Sequence, residues 1–166
     1  MNLVKRALLI ASVLSSCVGC DQITKIIARQ NLANSDPVVF FDNIFRLQYA
    51  ENPGAFLSLG AGSPESTRFW VFTLIVGVFL AGVLAYLLVS PNISKAKIIS
   101  LSLLLGGGIG NLIDRIFNGG RVIDFMNVGI GSLRSGVFNV ADIAISIGVV
   151  CLFAISFKAS KNNPAQ

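Results

Sequence analysis

Three short stretches hold the residues best suited to chemistry: Gly110-Asn111-Leu112-Ile113-Asp114-Arg115, Val122-Ile123-Asp124-Phe125 and Phe138-Asn139-Val140-Ala141-Asp142. Each sets an aspartate against or inside an apolar run, where an ionised group is costly and needs a partner. Histidine is absent, which excludes a His-based triad or dyad and any His-ligated metal. Carboxylates, Lys25 and hydroxyls remain. Two carboxylates in a poorly solvated site do not both ionise comfortably; one retains a proton and the pair titrates as a unit. The ionised member can take a proton from an attacking water. The protonated member can hydrogen-bond the carbonyl under attack and later aid the leaving amine. Asp124, in a short strand-like piece, and Asp142, at a helix end, are nominated for these roles. Asp114 has Arg115 beside it and Asp21 has Lys25 four residues on, so both read as ionised, structural groups.

Other chemistries draw on the same residues. Asp and Asn oxygens can build a metal site, Lys25 can serve a Ser–Lys peptidase, and acids in a membrane can line the pathway of a carrier or channel. The last calls for acids near the midplane and a pseudo-repeat, and neither is visible. Gly106-Gly107-Gly108 has no Lys-Ser/Thr after it and no strand before it, so it is not a phosphate loop. Cys17 and Cys20 have CxxC spacing inside an apolar run, where small packing residues are the reading. Leu14-Ser15-Ser16-Cys17 also fits the pattern of a cleavable lipoprotein leader, but Asp21 onward continues a helical pattern instead of a polar tether.

The elements that must position these groups are membrane spans. The 166 residues are 54% hydrophobic and only 13% charged, with a mean hydropathy of +0.75, too apolar for a soluble domain. The net charge of +5 is accounted for by basic residues flanking spans, and no groove-reading motif supports a nucleic-acid partner. Spans are expected at about 7–28, 69–89, 98–117 and 137–157, with outer loops at 29–68 and 118–136, in a single membrane-embedded domain. The second, Phe69 to Val89, is uncharged and about 31 Å long as a helix. The other apolar runs are short. Ala7 to Cys20 gives about 21 Å and Ile143 to Phe157 about 22 Å, against a hydrocarbon core of roughly 30 Å. Each helix must therefore continue through its polar end: Asp21 and Lys25, then Asn111, Asp114 and Arg115, then Asn139 and Asp142. Asp21 and Lys25 share a helix face, as a snorkelling interface pair or as support for a site. Phe40 to Tyr49 reads as a strand or two at the membrane surface, Glu51-Asn52-Pro53-Gly54 as a turn, and Ser63-Pro64-Glu65-Ser66 as the start of the second span. Gly129, Gly131 and Gly136 suggest a loop before a last span beginning at Val137.

Lys5 and Arg6, Lys95 and Lys97, and Lys158 and Lys161 all fall on one side of four spans, which makes that side, with both termini, cytoplasmic. Asp21, Asp114, Asp124 and Asp142 then gather at the outer face.

Taken in order, Asp21-Gln22-x-Thr24-Lys25, Asn52-x-Gly54, Gly110-Asn111-Leu112-Ile113-Asp114-Arg115, Val122-x-Asp124-Phe125 and Phe138-Asn139-x-Ala141-Asp142 resemble the bacterial lipoprotein signal peptidase family, signal peptidase II, over nearly the whole chain. One departure is visible: the family commonly reads Asn-x-Gly-Ala-Ala-Phe, and here Phe56 comes one place early. The resemblance implies an α-helical integral membrane protein of four transmembrane helices with a small extracytoplasmic β-rich cradle. It implies an aspartic endopeptidase of the bacterial inner membrane. Its substrate would be a diacylglyceryl-modified prolipoprotein, cut on the amino side of the lipidated Cys. By the family pattern Asp124 and Asp142 are catalytic. Asn52, Gly54, Asn111, Arg115 and Asn139 hold the substrate backbone and brace the acids, with Asp21, Lys25 and Asp114 in support. No cofactor or metal is implied, and the cyclic peptide globomycin is expected in the site.

Overall fold

The protein is represented by a computed structural model describing residues 1–54 and 60–162, with side chains to Lys158. Four helices are long and apolar enough to cross a membrane. Helix α1 (Leu3–Leu32) starts at Asn2, whose side chain accepts from the Lys5 amide at 3.0 Å. It runs far past its apolar stretch because Asp21 and Lys25 find buried partners. Helix α2 (Glu65–Val89) begins after Pro64 and carries a π-helical segment at Phe69–Ile75. Helix α3 (Lys95–Phe117) is capped by Ser94, which accepts from the Lys97 amide. Helix α4 (Val140–Asn162) is the last described element.

Helix α3 is central, packing against α1, α2 and α4. Successive positions on a helix turn by about 100°, so the run Gly106-Gly107-Gly108 meets three different neighbours. A Cβ on Gly106 would lie 2.7 Å from Cys17 of α1, on Gly107 it would meet the Ala141 carbonyl of α4, and on Gly108 it would lie 2.6 Å from Leu80 of α2. Small residues let helices approach where lipid supplies no hydrophobic drive. Ile10, Leu80, Leu87, Ile98 and Leu105 form the buried apolar cluster, which occupies the half of the bundle away from the acids.

At the other end lies an antiparallel four-stranded sheet in the order β1-β2-β3-β4: β1 (Val38–Phe40), β2 (Phe45–Asn52), β3 (Val122–Ile130) and β4 (Leu133–Arg134). The β1–β2 turn holds Phe41, Asp42 and Asn43 at φ of 53°, 49° and 71°, an uncommon left-handed run for residues other than glycine. Strands β2 and β3 pair Leu47 with Met126 and Ala50 with Asp124, with an irregularity between. Such bulges re-aim side chains near functional sites. An isolated bridge between Met126 and Phe138 ties β3 to the residues entering α4.

The stretch expected to be a loop is instead a hairpin. Strand β3 runs on to Ile130, turns at Gly131 (φ 57°) and returns through β4. Arg134 supports it by donating to the Asn127 side chain at 2.5 Å and the Asn43 carbonyl at 2.7 Å. Helix α4 begins at Val140 and not at Val137, because Asn139 caps it.

Candidate active site

The first turn of α4 fixes Asp142. The Asn139 side-chain oxygen accepts from the Asp142 amide at 3.0 Å, and Asp142 Oδ2 accepts from the Asn139 amide at 3.1 Å. This reciprocal arrangement is a capping box with Asp in the third helical place. The Asn139 amide nitrogen Nδ2 points the other way. It donates to Asp124 Oδ1 at 2.6 Å, to Asn111 Oδ1 at 3.1 Å and to the Ile123 carbonyl at 3.3 Å. One fully buried side chain thus binds a strand acid and orders a helix acid. Asp142 Oδ1 accepts from Asn111 Nδ2 of α3 at 3.0 Å.

Asp124 reaches this point from β3. Its other oxygen accepts from Asn52 Nδ2 at 3.1 Å; Asn52 pairs with Val122 in the ladder, a diagonal neighbour within reach across an antiparallel pair. The Asn52 side-chain oxygen accepts from the Gly54 amide at 2.9 Å, folding the turn that the sequence suggested. Arg115 Nη2 donates to the Gly54 carbonyl at 2.7 Å, and its guanidinium lies 5.7 Å from the centre of the Phe72 ring. The displaced aromatic Phe56 lies outside the described residues.

Burial first, and the nearby Asp142 charge second, push the Asp124 carboxyl up to about 6. The amides of Asn52 and Asn139 act in the opposite sense.

Beneath the two acids lies a second cluster. Lys25 Nζ sits 2.8 Å from Asp21 and 2.9 Å from Asp114, all three side chains almost wholly buried, and donates to Asn111 Oδ1 at 2.9 Å. Burial this deep excludes the snorkelling reading. The acids also reach backbone: Asp21 Oδ1 accepts from the Ala141 amide at 2.9 Å, and Asp114 Oδ2 from the Ile123 amide at 3.0 Å. Hence α1 and α3 orient the chain segments that carry Asp142 and Asp124. Two sequence expectations change. Asp114 pairs with Lys25, not with its neighbour Arg115, because adjacent helical residues face different directions. Gln22, not singled out from sequence, donates to Asp21, to the Gly110 carbonyl and to Asp114 at 3.3, 3.2 and 3.0 Å. Its sequence signal was its place in the Asp21-Gln22-x-Thr24-Lys25 stretch, where no role was assigned to it. Gly110 is a close-approach position, for a Cβ there would lie 2.5 Å from Asp21 Oδ2.

A cavity of about 290 Å³ opens beside Asp142, lined by Val76, Gly108, Asn111, Arg115, Asp142, Ile145 and Ser146. Asn111, Arg115 and Asp142 make its polar side, and Val76 of α2 and Ile145 of α4 its apolar walls.

The fold and site define a class of polytopic membrane protein with a polar centre at the junction of helices and sheet. A solved bacterial membrane enzyme shares the fold, with a TM-score of 0.76 at 23% identity over 98% of this chain and 92% of that one. A second gives 0.70 at 25% identity, over 93% of each. The chain belongs to the signal peptidase II family, whose model, described as Signal peptidase (SPase) II, matches residues 13–158. Similar proteins include the lipoprotein signal peptidases of Leifsonia xyli subsp. xyli (strain CTCB07), 40% identical over 90% of this chain and 68% of that protein, and of Geobacillus thermodenitrificans (strain NG80-2), 32% identical over 92% and 91%. That of Syntrophus aciditrophicus (strain SB) is 38% identical over 80% and 81%.

Proposed function

We propose that this protein is an aspartic endopeptidase of the bacterial inner membrane that removes signal peptides from diacylglyceryl-modified prolipoproteins, cutting on the amino side of the lipidated Cys. The observation that carries the reading is the Asn139 side chain, which bonds Asp124 through its nitrogen while its oxygen and backbone amide fix Asp142. Family membership supports the substrate class, and the burial of Asp124 beside the partly exposed Asp142 supports the chemistry.

Asp142 takes a proton from water as the water oxygen bonds to the scissile carbonyl carbon. Asp124, protonated, donates to the carbonyl oxygen. The tetrahedral intermediate collapses as the C–N bond breaks. The leaving amine takes the proton from Asp142, and Asp124 recovers one from the new carboxyl group. Asn111 and Asn139 keep the acids in place. Arg115 and Asn52 hold the Asn52-Pro53-Gly54 turn over the cleft, where its backbone can align the peptide. Asp21, Lys25, Asp114 and Gln22 brace the frame. No metal or cofactor enters these steps, and globomycin would occupy the same cleft.

The test is cleavage of one diacylglyceryl-modified precursor. Asp124→Asn and Asp142→Asn should each insert and fold, yet lose about 10³-fold or more in kcat. Substantial turnover in either would defeat the assignment.

A further inference from the structure

At the end of the bundle opposite the acids, Arg6 is buried, with 8% of its surface exposed. Its Nη1 donates to the Ser90 carbonyl at 2.7 Å, so α1 caps the C-terminus of α2. Its Nε and Nη2 are also buried, and among the described residues neither has a hydrogen-bond partner. A guanidinium taken out of water needs an anion or a full set of acceptors. Among the described residues no carboxylate pairs with it. Its eight acids are Asp21, Asp36, Asp42, Glu51, Glu65, Asp114, Asp124 and Asp142, every one of them in the half of the protein that carries the sheet or in the links leading to it.

Arg6 lines a cavity of about 210 Å³ together with Met1, Pro91, Asn92, Ile93 and Ile98. The cavity lies beside the start of the 23-residue helix α3, where the Ser94 cap takes the Lys97 amide and the amides before it have no intrahelical acceptor. Lys5 precedes Arg6 on α1 and Lys95 opens α3, so this end of the bundle is basic. On the outer side of the same end, Leu3, Val4, Leu8 and Val89 are 62%, 68%, 63% and 78% exposed, as befits side chains facing hydrocarbon. An occupant reaching Arg6 therefore meets cations at one side and lipid chains at the other.

We propose that this cavity binds the phosphate group of an anionic phospholipid in the leaflet at that end, with the Arg6 guanidinium that lines it as the counter-charge. The lipid serves as the missing counterion and locks the start of α1 against the α2–α3 turn. The site is remote from the acids, and its test does not depend on the cleavage reaction.

The experiment uses the full-length protein in a neutral detergent, stripped of lipid, with melting temperature and lipid retention in native mass spectrometry as readouts. The probes are phosphatidylglycerol, diacylglycerol, which lacks the phosphate, and inorganic phosphate. Phosphatidylglycerol should raise the melting temperature of the wild type and be retained, while the other two do neither. Arg6→Gln should weaken phosphatidylglycerol retention by about tenfold. Should that variant fail to fold, Asn92→Asp provides the second arm. It places a carboxylate in the cavity, and should raise the lipid-free melting temperature while abolishing the phosphatidylglycerol response. Equal retention by wild type and Arg6→Gln, or an undiminished lipid response in Asn92→Asp, would overturn the proposal. So would an equal shift with inorganic phosphate alone, which would assign the cavity to a soluble anion, or with diacylglycerol, which would leave the charge without a role.

Discussion

Asp124 and Asp142 are alike in type and differ in setting. Asp142 is built into a helix start, with the Asn139 amide and the Asn111 side chain donating to it. Asp124 sits on a strand that is buried on both faces around it, and that burial, with the charge of Asp142, pushes its carboxyl up to about 6. The sign of the resulting pH dependence follows from its role. Asp124 must donate a proton in the proposed first step, so raising the pH through about 6 removes the form that reacts. The kcat/KM for a lipidated precursor should fall on that alkaline limb, with an apparent value belonging to the pair and not to one acid. Initial rates between pH 4.5 and 8.5 measure it. A profile flat across that range would contradict a shared proton.

At the scale of elements, α1 and α3 form the frame, and two substitutions test it. Gly110→Ala would set a methyl 2.5 Å from Asp21 Oδ2, forcing the Asp21 side chain of α1 away from α3. A loss of roughly 1–3 kcal/mol is expected from such overpacking. Gly82→Ala meets nothing within 4 Å and should leave the melting temperature near the wild-type value. The second test is Lys25→Met, which leaves Asp21 and Asp114 buried without their cation and should cost about 3–5 kcal/mol, read by denaturation in detergent. Adding Asp21→Asn and Asp114→Asn to that variant should restore part of the loss, because the stranded charges go with them. The sequence carried the helical side of this frame well. The spacing of Asp21 to Lys25, and of Asn111 to Asp114 and Arg115, put side chains on predictable faces, and the shortness of the apolar runs required the polar ends to be helical. It did not carry the partner of Asp114, because the Lys25–Asp114 contact joins helices whose relative rotation depends on glycine contacts along α3. Nor did it carry the hairpin after Asp124. There Gly129 and Gly131 look like loop formers, yet Gly129 admits the close approach of β4 and Gly131 supplies a positive-φ turn.

The whole molecule is polarised along the bundle axis. Every acid belongs to the half carrying the sheet or to its links, whereas Lys5, Arg6, Lys95, Lys97 and Lys158 mark the other end. The Arg6–Ser90 hydrogen bond fixes the start of α1 beside the end of α2. We infer from the bias that orients membrane helices that the basic end faces the cytoplasm, an orientation under which both termini would lie inside and the paired aspartates at the periplasmic rim. That placement suits the proposed substrate, whose lipid holds the scissile bond close to the membrane surface. Orientation is measurable with single cysteines in a variant whose Cys17, Cys20 and Cys151 are replaced by Ala. Leu133, 83% exposed at the β3–β4 turn, and Ala96, exposed in the first turn of α3, are suitable reporters. A membrane-impermeant maleimide reaching only the periplasmic face should label Leu133→Cys, and label Ala96→Cys only after the membrane is opened. The reverse pattern would put the acids on the cytoplasmic face, away from a precursor whose lipidated Cys emerges outside, and the proposed reaction would lose its access to substrate.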